Sequence, residues 1–229
     1  MDEALSAGHV AGILAPLRDR GVDCVLVGGA AAWAHGASQR PHDVDVVLRG
    51  TWDTYEAAAG ALAELHARLP DYSHYLGEDA HAALPAVRLD AAAVAVAPIT
   101  TWATDLGGLD FFDAIDSPHG PLYYEDLIAR AEPRNVAGVR IQVASISDVI
   151  ASKATTARPK DLPVVAELRR IAAQQFALTQ APPRRPTLAN SLDRPWGNAR
   201  PAARAWPRPL TTTTYSRYLP YIPHIRRRR

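Results

Sequence analysis

The sequence predicts an α/β domain of the α+β kind, a small mixed sheet flanked by helices, followed by a helical C-terminal part and a disordered basic tail. Three observations lead there. Short apolar runs at 23–27, 43–48, 94–104, 109–115 and 139–144 alternate with stretches of helical period. The pair Gly28-Gly29 ends the first of these runs and opens a segment of small residues. After Gln175 the composition changes abruptly, residues 176–229 holding nine of the 19 prolines and closing on four arginines.

Residues 5–20 space Val10, Ile13, Leu14 and Leu17 as one face of a helix, with Arg18 and Arg20 near its end and Gly21 as its stop. Residues 23–27 are too short for a helix and read as a buried strand. Gly28-Gly29 then turns the chain, 30–35 form a small-residue helix, and Pro41 breaks it before the strand 43–48. Residues 51–69 make a helix capped by Thr51 or Asp53, with Tyr55, Leu62, Leu65 and Leu69 on its apolar face. Residues 70–89 lack periodicity and are read as irregular. The runs 94–104 and 109–115 form an antiparallel hairpin across Asp105-Leu106-Gly107-Gly108. A helix at 123–131, a strand at 139–144 and a helix at 148–157 capped by Ser147 follow. Pro159 ends that helix, and Asp161 caps the last one, with Pro163 in its first turn. The expected divisions are a core at 1–145, C-terminal helices at 146–175 and a Pro/Arg-rich tail at 176–229, whose sparse apolar groups cannot offset the entropy of ordering it.

Composition narrows the function classes. A chain of 229 residues with 48% hydrophobic content can bury a core. The single cysteine, Cys24, excludes a disulfide framework and a cysteine-based zinc site. No apolar run approaches the roughly 18 residues of a membrane span, and the acidic N-terminus is unlike a signal peptide, so a cytoplasmic protein with no membrane partner is expected. The net charge of +1 conceals a division: residues 1–168 carry 23 acidic and 12 basic side chains, residues 169–229 carry 13 arginines and one aspartate. The histidines show no HExxH spacing and the serines no nucleophile elbow, so zinc hydrolysis and serine catalysis have no support. Trp33, Trp52 and Trp102 are read as packing groups, with a place beside a base-binding pocket as the alternative for Trp102.

Asp43 and Asp45 stand at i and i+2 on a strand and leave the same face. Two such carboxylates are either a solvated strand face or a site for a hard cation such as Mg²⁺. Val44, Val46, Val47 and Leu48 make the strand a core element, where unpaired carboxylates are costly, and this favours the cation. Gly28-Gly29 is either a plain turn or a close approach of backbone N–H groups to a phosphate. The chain has neither the P-loop Lys-Ser/Thr nor the GxGxxG fingerprint.

Together, Gly28-Gly29, a short helix, Arg40-Pro41-His42 and Asp43-Val44-Asp45 resemble the nucleotidyltransferases of the DNA polymerase β superfamily. Their signature is a Gly-Gly or Gly-Ser turn, Asp-x-Asp on the next strand, and a third carboxylate on a later one. Arg40 stands where many relatives carry Arg, while Pro41-His42 departs from the usual link. The resemblance implies Asp110, in the segment GGLDFF, as the third carboxylate, and leaves Asp113 at the surface or an edge. Residues 146–162, ISDVIASKATTARPKDL, resemble the helix after the core in AbiEii-type nucleotidyltransferase toxins. By that likeness Lys153 and Arg158 bind nucleotide with Gly28, Gly29 and Arg40, and Lys160 and Asp161 support them.

What the resemblance implies is transfer of a nucleoside monophosphate from an NTP to an acceptor hydroxyl, releasing pyrophosphate. Asp43, Asp45 and Asp110 would be catalytic and would hold two Mg²⁺ ions, one carrying the triphosphate and one activating the hydroxyl. The AbiEii-type likeness points to tRNA as acceptor and to a toxin restrained by an antitoxin protein. The acidic body repels RNA, which keeps open a small-molecule or protein acceptor, or an inactive nucleotidyltransferase-like binding module.

Overall fold

The computed structural model describes residues 4–71, 78–79 and 87–180, which lie within one compact unit, Met1–Pro182. Ser6 caps the first helix, α1 (Ala7–Asp19), by accepting the His9 N–H, and Val10, Ile13, Leu14 and Leu17 form its buried face. Strand β1 (Cys24–Val27) is buried at every position and runs directly into helix α2 (Gly28–Ala34). Strand β2 (Asp43–Leu48) follows, then helix α3 (Trp52–Glu64), capped by Thr51, and the short α4 (Ala91–Val94), capped by Asp90. Next come β3 (Ile99–Thr104), β4 (Gly107–Phe112), β5 (Ala114–Ile115), β6 (Leu122–Tyr123), α5 (Tyr124–Ile128), β7 (Glu132–Val136) and β8 (Val139–Val143). Helix α6 (Ile146–Thr156), a 3₁₀ turn (Pro159–Asp161) and α7 (Leu162–Gln180) complete the described chain.

Six strands form one mixed sheet in the order β3-β4-β2-β1-β8-β7, and β5 and β6 make a separate two-stranded ribbon. β2 is antiparallel to β1 and parallel to β4, so the sequence-distant β4 lies beside the strand that carries the acid pair. Val25, Leu26, Val44, Val46, Val47 and Leu109 are buried at the sheet centre. Helices α1 and α2 pack on the sheet, α1 carrying α3 and, through it, α4, and α2 carrying α6 and, through it, α7, while α5 meets β1.

The expected class holds, a mixed sheet with flanking helices and a helical C-terminal part, and several boundaries move. Gly28-Gly29 is the first turn of α2 rather than a turn before it. α3 ends at Glu64, short of Leu69, because His66 takes a left-handed backbone (φ 48°) and Arg68 pairs with Ala103 in an isolated bridge. The run from 94 begins as the end of α4, and its strand starts only at Ile99, after Pro98. The hairpin forms, with Asp105 and Leu106 alone as its turn, since Thr104 already pairs with Gly107. Thr104 Oγ1 fastens that turn by donating to the Gly107 carbonyl and accepting from the Leu106 N–H. The following strand stops at Phe112, and Ala114 and Ile115 pair with Tyr123 and Leu122 instead.

Ser145, not Ser147, caps α6: its hydroxyl accepts the Asp148 N–H and donates to Asp148 Oδ2, two residues before the expected cap. β7 has no counterpart in the sequence reading. It is a sheet edge, largely exposed and carrying Pro133, so it has no apolar pattern to betray it. The helix expected at 123–131 covers only Tyr124–Ile128. α7 runs to Gln180, so residues 176–180, assigned to the tail, are helical. The irregular segment at 70–89 lies mostly, and the tail from 181 onward wholly, outside the described residues.

Candidate active site

The sheet register builds the acid cluster. Asp45 on β2 pairs with Asp110 on β4, side by side in parallel strands, and Asp43 leaves the same face two residues earlier. One carboxylate oxygen from each of Asp43, Asp45 and Asp110 lies within 4.8 Å of the others. Val44 and Val46 alternate with them and are fully buried, which fixes the register because a one-residue slip would bury the carboxylates. Gly28 sits against this cluster with φ 60°, and a Cβ there would come within 2.6 Å of Asp45 Cγ. The neighbouring Gly29 N–H points at Asp45 Oδ2 over a long 3.4 Å. The Gly pair thus brings the start of α2 onto a carboxylate.

Burial, then the charges of Asp43 and Asp110, push the Asp45 carboxyl up to about 7, against the Gly29 N–H and Lys153, which draw it down. Asp110 is raised for the same reasons, burial first and Asp43 after, while a hydrogen bond from Thr101 opposes them. Among the described residues these three clustered carboxylates have one long backbone donor and one threonine hydroxyl on them, a charge set that a hard divalent cation would complete. The donor set, all carboxylate oxygen, fits Mg²⁺ and not a soft metal.

Around the triad lies a pocket of about 480 Å³. Gly28, Gly29, Arg40, Asp43, Asp45, Asp110, Lys153, Arg158, Lys160 and Asp161, scattered over more than 130 positions, all line it. Lys153 is placed differently from a free charge on a helix. It is buried, and its Nζ donates to Asp161 Oδ1 at 2.7 Å, while Arg158 Nε donates to Asp161 Oδ2 at 2.6 Å. Although burial acts to raise it, these two bonds hold the Asp161 carboxyl below its ordinary range. Asp161 is therefore a bridge between two cations and not simply a helix cap. Arg40 and Lys160 make no ion pair among the described residues.

Other lining residues escaped the sequence reading. Pro98, Ile99, Phe112, Ile115 and Tyr123 add an apolar portion to the wall, and Asp113 and Asp116 add two exposed carboxylates. Asp113 is exposed as expected, yet it borders the pocket. The acidic string DFFDAID was the available signal, although periodicity alone could not tell that the strand breaks after Phe112. Trp102 is core, its Nε1 donating to Thr100 Oγ1. Trp52, read as a packing group, is instead 57% exposed, its Nε1 donating to Glu56 Oε1.

No protein-family model and no curated protein sequence matches the chain. Among solved structures it is similar to the solution structure of the antibiotic-resistance factor ANT(2'')-Ia, at 16% identity and a TM-score of 0.46, covering 76% of this chain and 85% of the other. It is also similar to a crystal structure of ANT(2'')-Ia in complex with adenylyl-2''-tobramycin, at 15% identity and a TM-score of 0.44, covering 76% and 90%.

Proposed function

We propose that the chain is a Mg²⁺-dependent nucleotidyltransferase that moves a nucleoside monophosphate from an NTP to an acceptor hydroxyl. The observation that carries this reading is the convergence of Asp43, Asp45 and Asp110 on one sheet face, in a pocket also lined by Arg40, Lys153, Arg158 and Lys160. Asp43, Asp45 and Asp110 would hold the Mg²⁺, two ions on the family resemblance, which neutralises triphosphate charge and acidifies the attacking hydroxyl. Gly28 and Gly29 let the backbone approach the nucleotide. Lys153 and Arg158, steadied by Asp161, and the unpaired Arg40 and Lys160 balance the phosphates. The hydroxyl oxygen bonds to the α-phosphorus as the bond to pyrophosphate breaks, and the hydroxyl proton passes to Asp110. Positioning and charge complementarity account for the rate enhancement.

The acceptor is the finer question. The AbiEii-type likeness supports the acceptor end of tRNA and a toxin held by an antitoxin. A specific observation favours a second reading, a small cationic acceptor: Asp113 and Asp116 extend the acidity of the pocket beyond the triad, which repels a phosphodiester backbone and attracts amines. One experiment separates them. The full chain is incubated with each α-labelled NTP and Mg²⁺, with total tRNA, with polyamino-sugars, or alone. Label on tRNA supports the toxin, label on the amine the small acceptor, and label on protein a protein acceptor. Nucleotide binding without any transfer indicates a binding module, and absence of both binding and transfer overturns the reading.

A further inference from the structure

The loop joining α2 to β2, residues 35–42, brings Gln39, Arg40, Pro41 and His42 to the pocket without regular secondary structure of its own. Three long-range contacts hold it. His35 Nε2 donates to the Ala144 carbonyl at 2.8 Å, and the Leu5 N–H donates to the Pro41 carbonyl at 2.7 Å. The third comes from α7. Both carboxylate oxygens of Glu167 accept the Ser38 N–H at 3.1 Å, and Glu167 Oε2 also accepts the Ser38 hydroxyl at 3.0 Å. Ser38 precedes Arg40 by two residues, and Arg40 has no partner of its own among the described residues.

At an exposed loop, water would satisfy the Ser38 N–H and hydroxyl as well as a protein group does. A carboxylate reaching them from 129 residues away therefore relieves no buried donor; its effect is to remove loop freedom. Freedom removed before binding need not be lost on binding, and among the loop residues at the pocket the cation that gains is Arg40. We infer that Glu167 is a positioning residue for nucleotide binding, fixing Ser38 so that Arg40 is presented to the triphosphate. α7 and the turn that leads into it then hold both parts of the basic wall, Arg40 through Glu167 on α7, and Lys153 with Arg158 through Asp161 in the turn.

The inference rests on the nucleotidyltransferase reading, and calorimetric titration of the full chain with a non-hydrolysable NTP analogue in excess Mg²⁺ tests it separately. Glu167→Ala and Arg40→Ala are each expected to weaken binding about tenfold, and the double variant to bind within about twofold of Arg40→Ala, because the latch acts through that side chain. Glu167→Gln, whose amide oxygen still accepts from Ser38, is expected within about threefold of wild type. Ser38→Ala, which removes one arm of the contact and leaves the carboxylate, is expected to lose about two- to threefold and serves if Glu167→Ala does not fold. Losses from Glu167 and Arg40 that multiply toward about a hundredfold, or a Glu167→Ala affinity equal to wild type beside a weakened Arg40→Ala, overturn the inference. Failure of the wild-type chain to bind any NTP analogue overturns the underlying reading, and the inference with it.

Discussion

Asp45 has the most strongly conditioned environment of the acid cluster. Its carboxyl is raised to about 7, so the folded chain holds that proton more tightly than the unfolded one does. The corresponding stability is complete below the unfolded value near 4 and is lost as pH rises through about 7. His35, lowered by its burial, acts with the opposite sign in the same range, so the Asp45 share is isolated by comparison: in the absence of divalent cation, raising the pH from 5 to 8 is expected to lower the melting temperature of wild type by several degrees relative to that of Asp45→Asn, as thermal melts of the two chains at each pH read directly. Lowered Asp161 acts with the opposite sign, and only at the acid end. Asp43→Asn, Asp45→Asn and Asp110→Asn should each cut transfer by about a hundredfold or more while leaving the chain folded, Asp45→Asn with a melting temperature at or above wild type. Retention of wild-type transfer rates by all three would refute the metal-site reading. Gly28→Ala must fit a Cβ where Asp45 now stands, at a left-handed φ, and should cost about 1–3 kcal/mol in a denaturant titration.

At the scale of elements, the junction between α6 and α7 is held by a buried charge set rather than by apolar packing alone. Lys153 and Asp161 are both nearly inaccessible, and Arg158 closes the other side of the same carboxylate. Asp161→Ala leaves the Lys153 ammonium buried and unpaired, with an expected cost of about 3–5 kcal/mol. The double variant Lys153→Met/Asp161→Leu should recover most of that stability and none of the nucleotide affinity, measured by melting and by titration on the same samples. Strong periodicity made α1 legible, and the Gly28-Gly29 and Asp43–Asp45 spacings placed α2 and β2. β7 was illegible because an exposed edge strand has no buried face, and the end of β4 because its next residues are claimed by the β5–β6 ribbon. The cap of α6 lies two residues before the expected one because Ser145 and Ser147 are chemically equivalent until the backbone selects one.

For the whole molecule, the sheet, all three carboxylates and both groups of helices lie within residues 4–180. A chain ending at residue 182 is therefore expected to melt cooperatively and to keep its Mg²⁺-dependent nucleotide affinity within about twofold of the full chain. Cation binding that is specific to the native site should raise the melting temperature, by about 2.7 kcal/mol of stability at a hundredfold excess over the dissociation constant, and should not do so in Asp45→Asn. No described helix is long and apolar enough to cross a membrane. The class of the fold and the placing of Asp43 and Asp45 on one face are legible in the amino-acid sequence alone, because alternation along one strand dictates which side chains share a face. So are the Gly pair and the basic segment at 153–161 as motifs, each readable within a few residues. Three relations are visible only in the folded chain: β4 lies parallel to β2 with Asp110 level with Asp45, Lys153 is bound by Asp161, and Glu167 reaches Ser38. The first and the last of these join residues far apart in the chain, and the second buries an ion pair between neighbouring elements; none of them exists until the strands pair and the helices close.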